Sequence, residues 1–130
     1  MTAAHARGHR ATDRGAVTVE VAGYTTLMLL ALTVGVQVVM WGLAALGARY
    51  TANHAAQAAR LYDATATAGR NDGQAMLDSA VGTALRESRV TVTRTATTVT
   101  VTVEGDAVQV VPFVRPPVTV TVTAPVERLN

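Results

Sequence analysis

The chain has 130 residues and a mass of 13.5 kDa, enough for one compact domain or for one membrane segment carrying a small domain, and too little for two cores of ordinary size. Apolar residues make up 49% but aromatic residues only 4%, so the apolar content is largely Ala and Val, a thin filling for a free-standing enzyme core. Cysteine is absent, which excludes disulfides, thiol nucleophiles, thiolate zinc sites and acylated lipoprotein anchoring, and a formal charge of +2, with Arg as the only basic type besides His, gives no basic face for nucleic acid.

Met1 to Gly15 is polar and aperiodic, with His, Arg, Thr and Gly, and is expected to be a disordered leader. From Val21 to Ala48 there follow 28 residues without Asp, Glu, Lys or Arg. About 20 apolar helical residues cross a bilayer, so this run is long enough to span, and the expected membrane segment is residues 21–48. Tyr24 and Trp41 stand 17 residues apart, roughly 25 Å along a helix, a spacing that suits aromatic anchors at the two interfaces. Arg7, Arg10 and Arg14 before the run outnumber Arg49 and Arg60 after it, which favours a cytoplasmic N-terminus.

The helical pattern continues past the apolar run. Ala45, Ala48, Ala52, Ala55, Ala59, Tyr62 and Ala66 recur at steps of three and four, forming one stripe of a helix expected over residues 16–68. Small side chains on a stripe let another helix or a sheet approach closely. Gly69-Arg70-Asn71-Asp72-Gly73 reads as a break. Asn71 with Gln74 resembles a capping box, and Leu77, Ala80, Val81, Ala84 and Leu85 form the apolar face of a short second helix ending near Glu87.

After Ser88 the period changes to 2. Val90 and Val92, then Val99, Val101 and Val103, then Val108 and Val110, and finally Val118, Val120 and Val122 alternate mainly with Thr, giving four strand candidates. Glu104-Gly105-Asp106-Ala107 suits a tight hairpin in which Val103 would face Val108 and Val101 would face Val110. Pro112, Pro116 and Pro117 force a loop before the last strand. The sheet would have one apolar side, covered by the helix stripe or by the second helix, and a Thr-rich side that is either an adhesive face or an ordinary solvated one.

No constellation for catalysis emerges. There is no glycine-rich phosphate loop and no HExxH, and Ser79 and Ser88 have no neighbouring His. His5 and His9 are spaced i, i+4 but lack further ligands, and His54 falls on the extended helix. The chain is therefore expected not to be an enzyme, with no metal site, no cofactor and no small-molecule substrate.

The boundary Asp13-Arg14-Gly15-Ala16-Val17-Thr18-Val19-Glu20-Val21 carries more information. A basic stretch ends at Gly15 and an apolar helix begins, with a single carboxylate at Glu20. Read alone, Glu20 is an interfacial residue in the first turns of a helix, where the dipole favours an anion, and Gly15 is a loop glycine. Together they resemble the processing site of type IV prepilins, in which a prepilin peptidase cuts after the glycine and a glutamate is the fifth mature residue. Cutting Gly15-Ala16 makes Glu20 that residue. The leader, the chain length and the ending Ala124-Pro125-Val126-Glu127-Arg128 are similar to the TadE-like family of minor pseudopilins from tight-adherence pilus systems. Members commonly carry a proline six residues after the glutamate, where this sequence has Thr26.

The resemblance implies an α+β, type IV pilin-like fold: a leader at residues 1–15, a transmembrane and extended helix at 16–68, and an extracytoplasmic domain at 69–130 with a short helix and a sheet of three or four antiparallel strands. It implies a structural subunit of a pilus or secretion apparatus in the cytoplasmic membrane. The partners it implies are a prepilin peptidase, other pilins and pseudopilins, platform proteins and the lipid bilayer. In that setting the new amine at Ala16 would pair with Glu20 of a neighbouring subunit, removing two charges from lipid. Two other readings stay open. A secreted binding domain could be released at Ala45-Leu46-Gly47, although the apolar run exceeds the roughly 7 to 15 residues of a signal-peptide core. A generic single-pass anchored binding domain would keep its N-terminus intact.

Overall fold

The computed structural model describes residues 10–61 and 63–128. Its elements run in the order α1 (Arg10–Arg60), α2 (Ala66–Met76), a π-helical turn (Leu77–Val81), β1 (Leu85–Arg94), β2 (Thr98–Ala107) and β3 (Pro117–Pro125). This is an α+β layout, with one long apolar helix, a short helix and a single three-stranded antiparallel sheet. The chain divides into two compact units, residues 1–35 and 36–130.

In the first unit the described residues are all helical. α1 begins at Arg10, so the last six residues of the expected disordered leader, Arg10 to Gly15, are helix instead. Once an apolar helix is nucleated, each added residue gains a hydrogen bond at little cost, and Arg and Ala are good helix formers. The leader over residues 1–9 lies outside the described residues. The threonine hydroxyls among the described side chains of this unit are satisfied by their own helix: Thr18 donates to the Arg14 carbonyl at 2.9 Å, Thr25 to Val21 at 2.9 Å, Thr26 to Ala22 at 2.9 Å and Thr33 to Leu29 at 2.8 Å. Such back-bonding leaves no hydroxyl seeking water, as a helix in hydrocarbon requires.

The second unit is built around its sheet. The strand order is β1-β2-β3, with both pairs antiparallel. Val103 lies between Val90 and Val120, and Val101 between Val92 and Val122. One face is therefore a Val lattice, with Val99, Val101 and Val103 fully buried. The opposite face carries Thr rows, in which Thr100 pairs with Thr123 and Thr102 with Thr121 through their hydroxyls at 3.4 and 3.2 Å. The C-terminal part of α1 covers the Val face. Ala44, Ala48, Ala52, Ala55, Ala56 and Ala59 join Leu77, Val81, Leu85 and the strand valines in one core.

The helices end elsewhere than expected. α1 stops at Arg60, short of residue 68, and Tyr62 of the stripe lies outside the described residues. The connection is tied down by Arg94, whose guanidinium donates to the carbonyls of Ala64 and Leu61, and by Glu127, whose amide donates to the Arg60 carbonyl at 3.0 Å. α2 is capped by Thr65, whose hydroxyl accepts from the Ala68 amide at 3.1 Å, so Asn71 and Gln74 are mid-helix residues and not a capping box. Gly69 and Gly73, expected to mark a break, lie inside α2 against α1. A Cβ on Gly69 would stand 2.6 Å from the Ala59 Cβ, and one on Gly73 would stand 3.0 Å from that of Ala55. Glycine is needed there for close helix contact, which outweighs its helix cost of about 1 kcal/mol. Beyond α2, Leu77 and Val81 are buried in the π-helical turn, Leu85 and Glu87 belong to β1, and the side chain of Ala80 lies outside the described residues.

The sheet has three strands and not four. The hairpin expected at Glu104–Ala107 does not form, because those residues continue β2, with Glu104 and Asp106 paired to both neighbours, Gly105 to β3 and Ala107 to β1. The turn is instead at residues 95–97, closed by the Thr95 amide to the Thr98 carbonyl at 2.8 Å and by the Thr98 amide to the Thr95 hydroxyl at 3.0 Å. Gly105 serves a close approach, since a Cβ there would meet the Leu85 Cγ at 2.8 Å and the Arg86 carbonyl at 2.9 Å. It faces the irregularity in β1 between Arg86 and Arg89, where Glu87 has φ 51°. Val108 and Val110 then leave the sheet.

Candidate functional site

The residues of the expected processing site lie in the first unit. Gly15 and Ala16 are exposed on α1, and nothing lies within 4 Å of a Cβ placed on Gly15. The Gly15–Ala16 peptide bond is thus within a helix, and a peptidase acting there would have to unwind it locally. Glycine is the weakest helix former after proline, which makes Gly15 the easiest place to open. Glu20 is exposed on the same helix, and the Tyr24 hydroxyl donates to its Oε1 at 3.3 Å. Tyr24 is one turn further on, so a single apolar helix presents the carboxylate together with an aromatic donor.

The helix is long and apolar enough to cross a membrane, and only 11% of the most apolar window is buried by the chain itself. A core helix of a soluble domain would be mostly covered. Leu27, Met28, Leu29, Leu30, Leu32 and Val34 are all exposed.

From Val36 the helix belongs to the second unit, and the expected span of residues 21–48 runs into it. Gln37 is the first buried residue of α1 among those described. Its side-chain amide holds the backbone that follows β2. Nε2 donates to the Val108 carbonyl at 3.0 Å, and Oε1 accepts from the amides of Val110 and Val111 at 2.7 and 2.9 Å. One turn later the Trp41 indole nitrogen donates to the Pro117 carbonyl at 3.2 Å, leaving the ring about half exposed. Ala44 and Ala48 are fully buried in the core. From Ala16 to the end of the first unit at Gly35, α1 runs for 20 residues or roughly 30 Å, close to the hydrocarbon thickness of a bilayer.

Of the stripe, Ala48, Ala52, Ala55 and Ala59 have no exposed surface and Ala45 is half-buried. Ala55 and Ala59 meet Gly73 and Gly69 of α2, so that part of the stripe is occupied within the chain. His54 lies 3.0 Å from the Asp72 carboxylate and stacks on Tyr50, which makes it part of the α1–α2 surface. His5 and His9 lie outside the described residues. Among the described residues no group of three or more His, Asp or Glu side chains is placed to hold a metal ion.

Sequence reasoning missed Gln37 and Thr51. Gln37 is the only amide side chain in the run Val21–Ala48, a visible signal that something polar must meet it. Thr51 is fully buried and its hydroxyl has no partner, and no sequence pattern marks it. No family model matches this chain, and comparison with curated proteins and with solved structures likewise gives no match.

Proposed function

We propose that this chain is a structural, non-enzymatic minor pseudopilin of the TadE-like kind, processed by a prepilin peptidase after Gly15 and taking part in assembly of a tight-adherence-type pilus or a related secretion apparatus. In this reading Ala16–Gly35 anchors it in the cytoplasmic membrane with the N-terminus cytoplasmic and residues 36–130 outside. Its partners are other pilins and pseudopilins, the membrane platform proteins and the bilayer. The observation that carries the reading is the placement of Gly15, Ala16 and Glu20 on an exposed apolar helix whose length from Ala16 to the end of the first unit at Gly35 is close to the thickness of a bilayer. Cleavage would leave an ammonium at Ala16, one turn from Glu20, and two charges of opposite sign at the start of a lipid-facing helix favour pairing between neighbouring subunits.

The secreted-domain alternative is weakened by Gln37 and Ala44. Cleavage near Ala48 would remove from the domain the side chain that holds residues 108–111 and one fully buried core residue. The deciding experiment is the N-terminus of the protein recovered from the membrane fraction of its native host, by intact mass and terminal peptide sequencing. A start at Ala16 supports the proposal. A start near Ala48 would mean a secreted domain, and a start at Met1 or Thr2 would mean an unprocessed anchor.

A further inference from the structure

The loop between β2 and β3 has an unusual tip. Phe113, the only phenylalanine of the chain, is 100% exposed and sits at φ 66°. A bulky side chain in the left-handed region is an outlier in folded proteins, and such strain persists where the surroundings impose it, commonly at functional surfaces. Here the backbone is tied down on both sides of it. Gln37 fixes Val108, Val110 and Val111, the Val114 amide closes a turn onto the Val111 carbonyl at 3.2 Å, and Trp41 fixes Pro117. Between these tied positions the Phe113 ring is left fully exposed. Val114 beside it is also exposed, and residues 107–116 contain Arg115 and no acid. Beneath the loop an open apolar cleft of about 340 Å³ is lined by Gln37, Val38, Trp41, Pro116 and Pro117.

The occupant of this surface follows from where the loop is fastened. Gln37 is the first buried residue of α1 among those described, two positions after the first unit ends at Gly35. Trp41, a ring with one end apolar and one end hydrogen-bonded, is the side chain favoured at a membrane interface. We infer that the loop Val108–Pro116 is a lipid-docking element that seats the domain on the bilayer surface, with the Phe113 ring in the acyl boundary, Arg115 on lipid phosphates and the cleft beside Trp41 open to an acyl chain. This rests on the proposal that α1 crosses the membrane. Aromatic insertion and one favourable charge are each modest alone, but a loop already tethered to a spanning helix loses little further freedom on docking.

The chain has no cysteine, so single nitroxide labels can be placed without background. The full chain would be reconstituted in vesicles of phosphatidylglycerol and phosphatidylcholine, with labels at Leu29→Cys, Val114→Cys or Thr121→Cys. Collision with oxygen and with a water-soluble nickel complex then reports depth. The expected result is a deep label at 29, a water-exposed label at 121, and a label at 114 shielded severalfold from nickel, with Phe113→Ser returning it to the value at 121. A label at 114 matching that at 121 while 29 stays deep would overturn docking and leave membrane crossing intact. Shielding at 114 that survives Phe113→Ser would overturn insertion of the ring. A water-exposed label at 29 would overturn the membrane reading and the docking together.

Discussion

Replacing Gln37 by Met keeps the length and burial of the side chain but removes all three of its hydrogen bonds to the 108–111 backbone. Each intramolecular bond contributes about 1 kcal/mol net, so the upper figure is about 3 kcal/mol. Val108, Val110 and Val111 are only half-buried, so water replaces part of what is lost and the expected cost is about 2 kcal/mol. At 1.4 kcal/mol per tenfold, local opening of the loop should become about 30-fold more frequent. Amide hydrogen exchange of the full chain reads this directly, because the Val110 and Val111 amides are the groups released. Trp41→Phe is the control, since it removes the bond to Pro117 and leaves those two amides held. Unchanged protection of Val110 and Val111 in Gln37→Met would refute the reasoning. Equal loss at Val101 and Val103 would also refute it, by showing global unfolding and not release of a loop.

Four further outcomes are expected. Gly69→Ala gains about 1 kcal/mol of helix propensity but forces a methyl to 2.6 Å from the Ala59 Cβ and 3.0 Å from the Ala55 carbonyl, an overpacking cost of about 1–3 kcal/mol, so thermal unfolding should shift downward. Thr51→Val removes a buried hydroxyl without a partner while keeping the side-chain shape, and should raise stability by about 1 kcal/mol in denaturant titration. Glu20→Ala should still insert and be processed but assemble poorly, and normal incorporation into the pilus apparatus would sink the charge-pairing hypothesis. A bulky residue at Gly15, where nothing crowds the helix, should leave the fold unchanged and the leader attached, as seen by intact mass.

The alternating valines were legible because a strand with one buried face has period 2, and Val99, Val101 and Val103 occupy that face. The turn was not. Gly105 next to an acid on each side looks like a hairpin when only local chemistry is considered, but a missing Cβ serves close approach as well as a turn. Which of the two applies depends on Leu85 and Arg86, about twenty residues earlier, across the sheet. The same ambiguity hid α2. Gly69 and Gly73 read as a break locally, whereas four-residue spacing of small groups facing Ala55 and Ala59 is what close helix packing needs. The turn at residues 95–97 carries neither Gly nor Asn, and it closes through the Thr95 hydroxyl and backbone, a device that Thr-rich strands disguise.

The C-terminal end of the expected span was the hardest feature to read, and its clue was in plain view. A helix of 28 uncharged residues is roughly 42 Å long, well beyond the ~30 Å of hydrocarbon it would have to match. The excess of about a third has to tilt, distort the bilayer or be covered by protein. Composition cannot choose among these, since lipid and a Val-rich sheet select the same side chains. A polar residue can choose, because a buried amide needs partners that lipid does not offer. Gln37 finds three of them more than seventy positions away, in a segment whose valines looked like a strand. From that residue onward one face of α1 is part of a protein core, and before it the described apolar side chains of the helix are exposed.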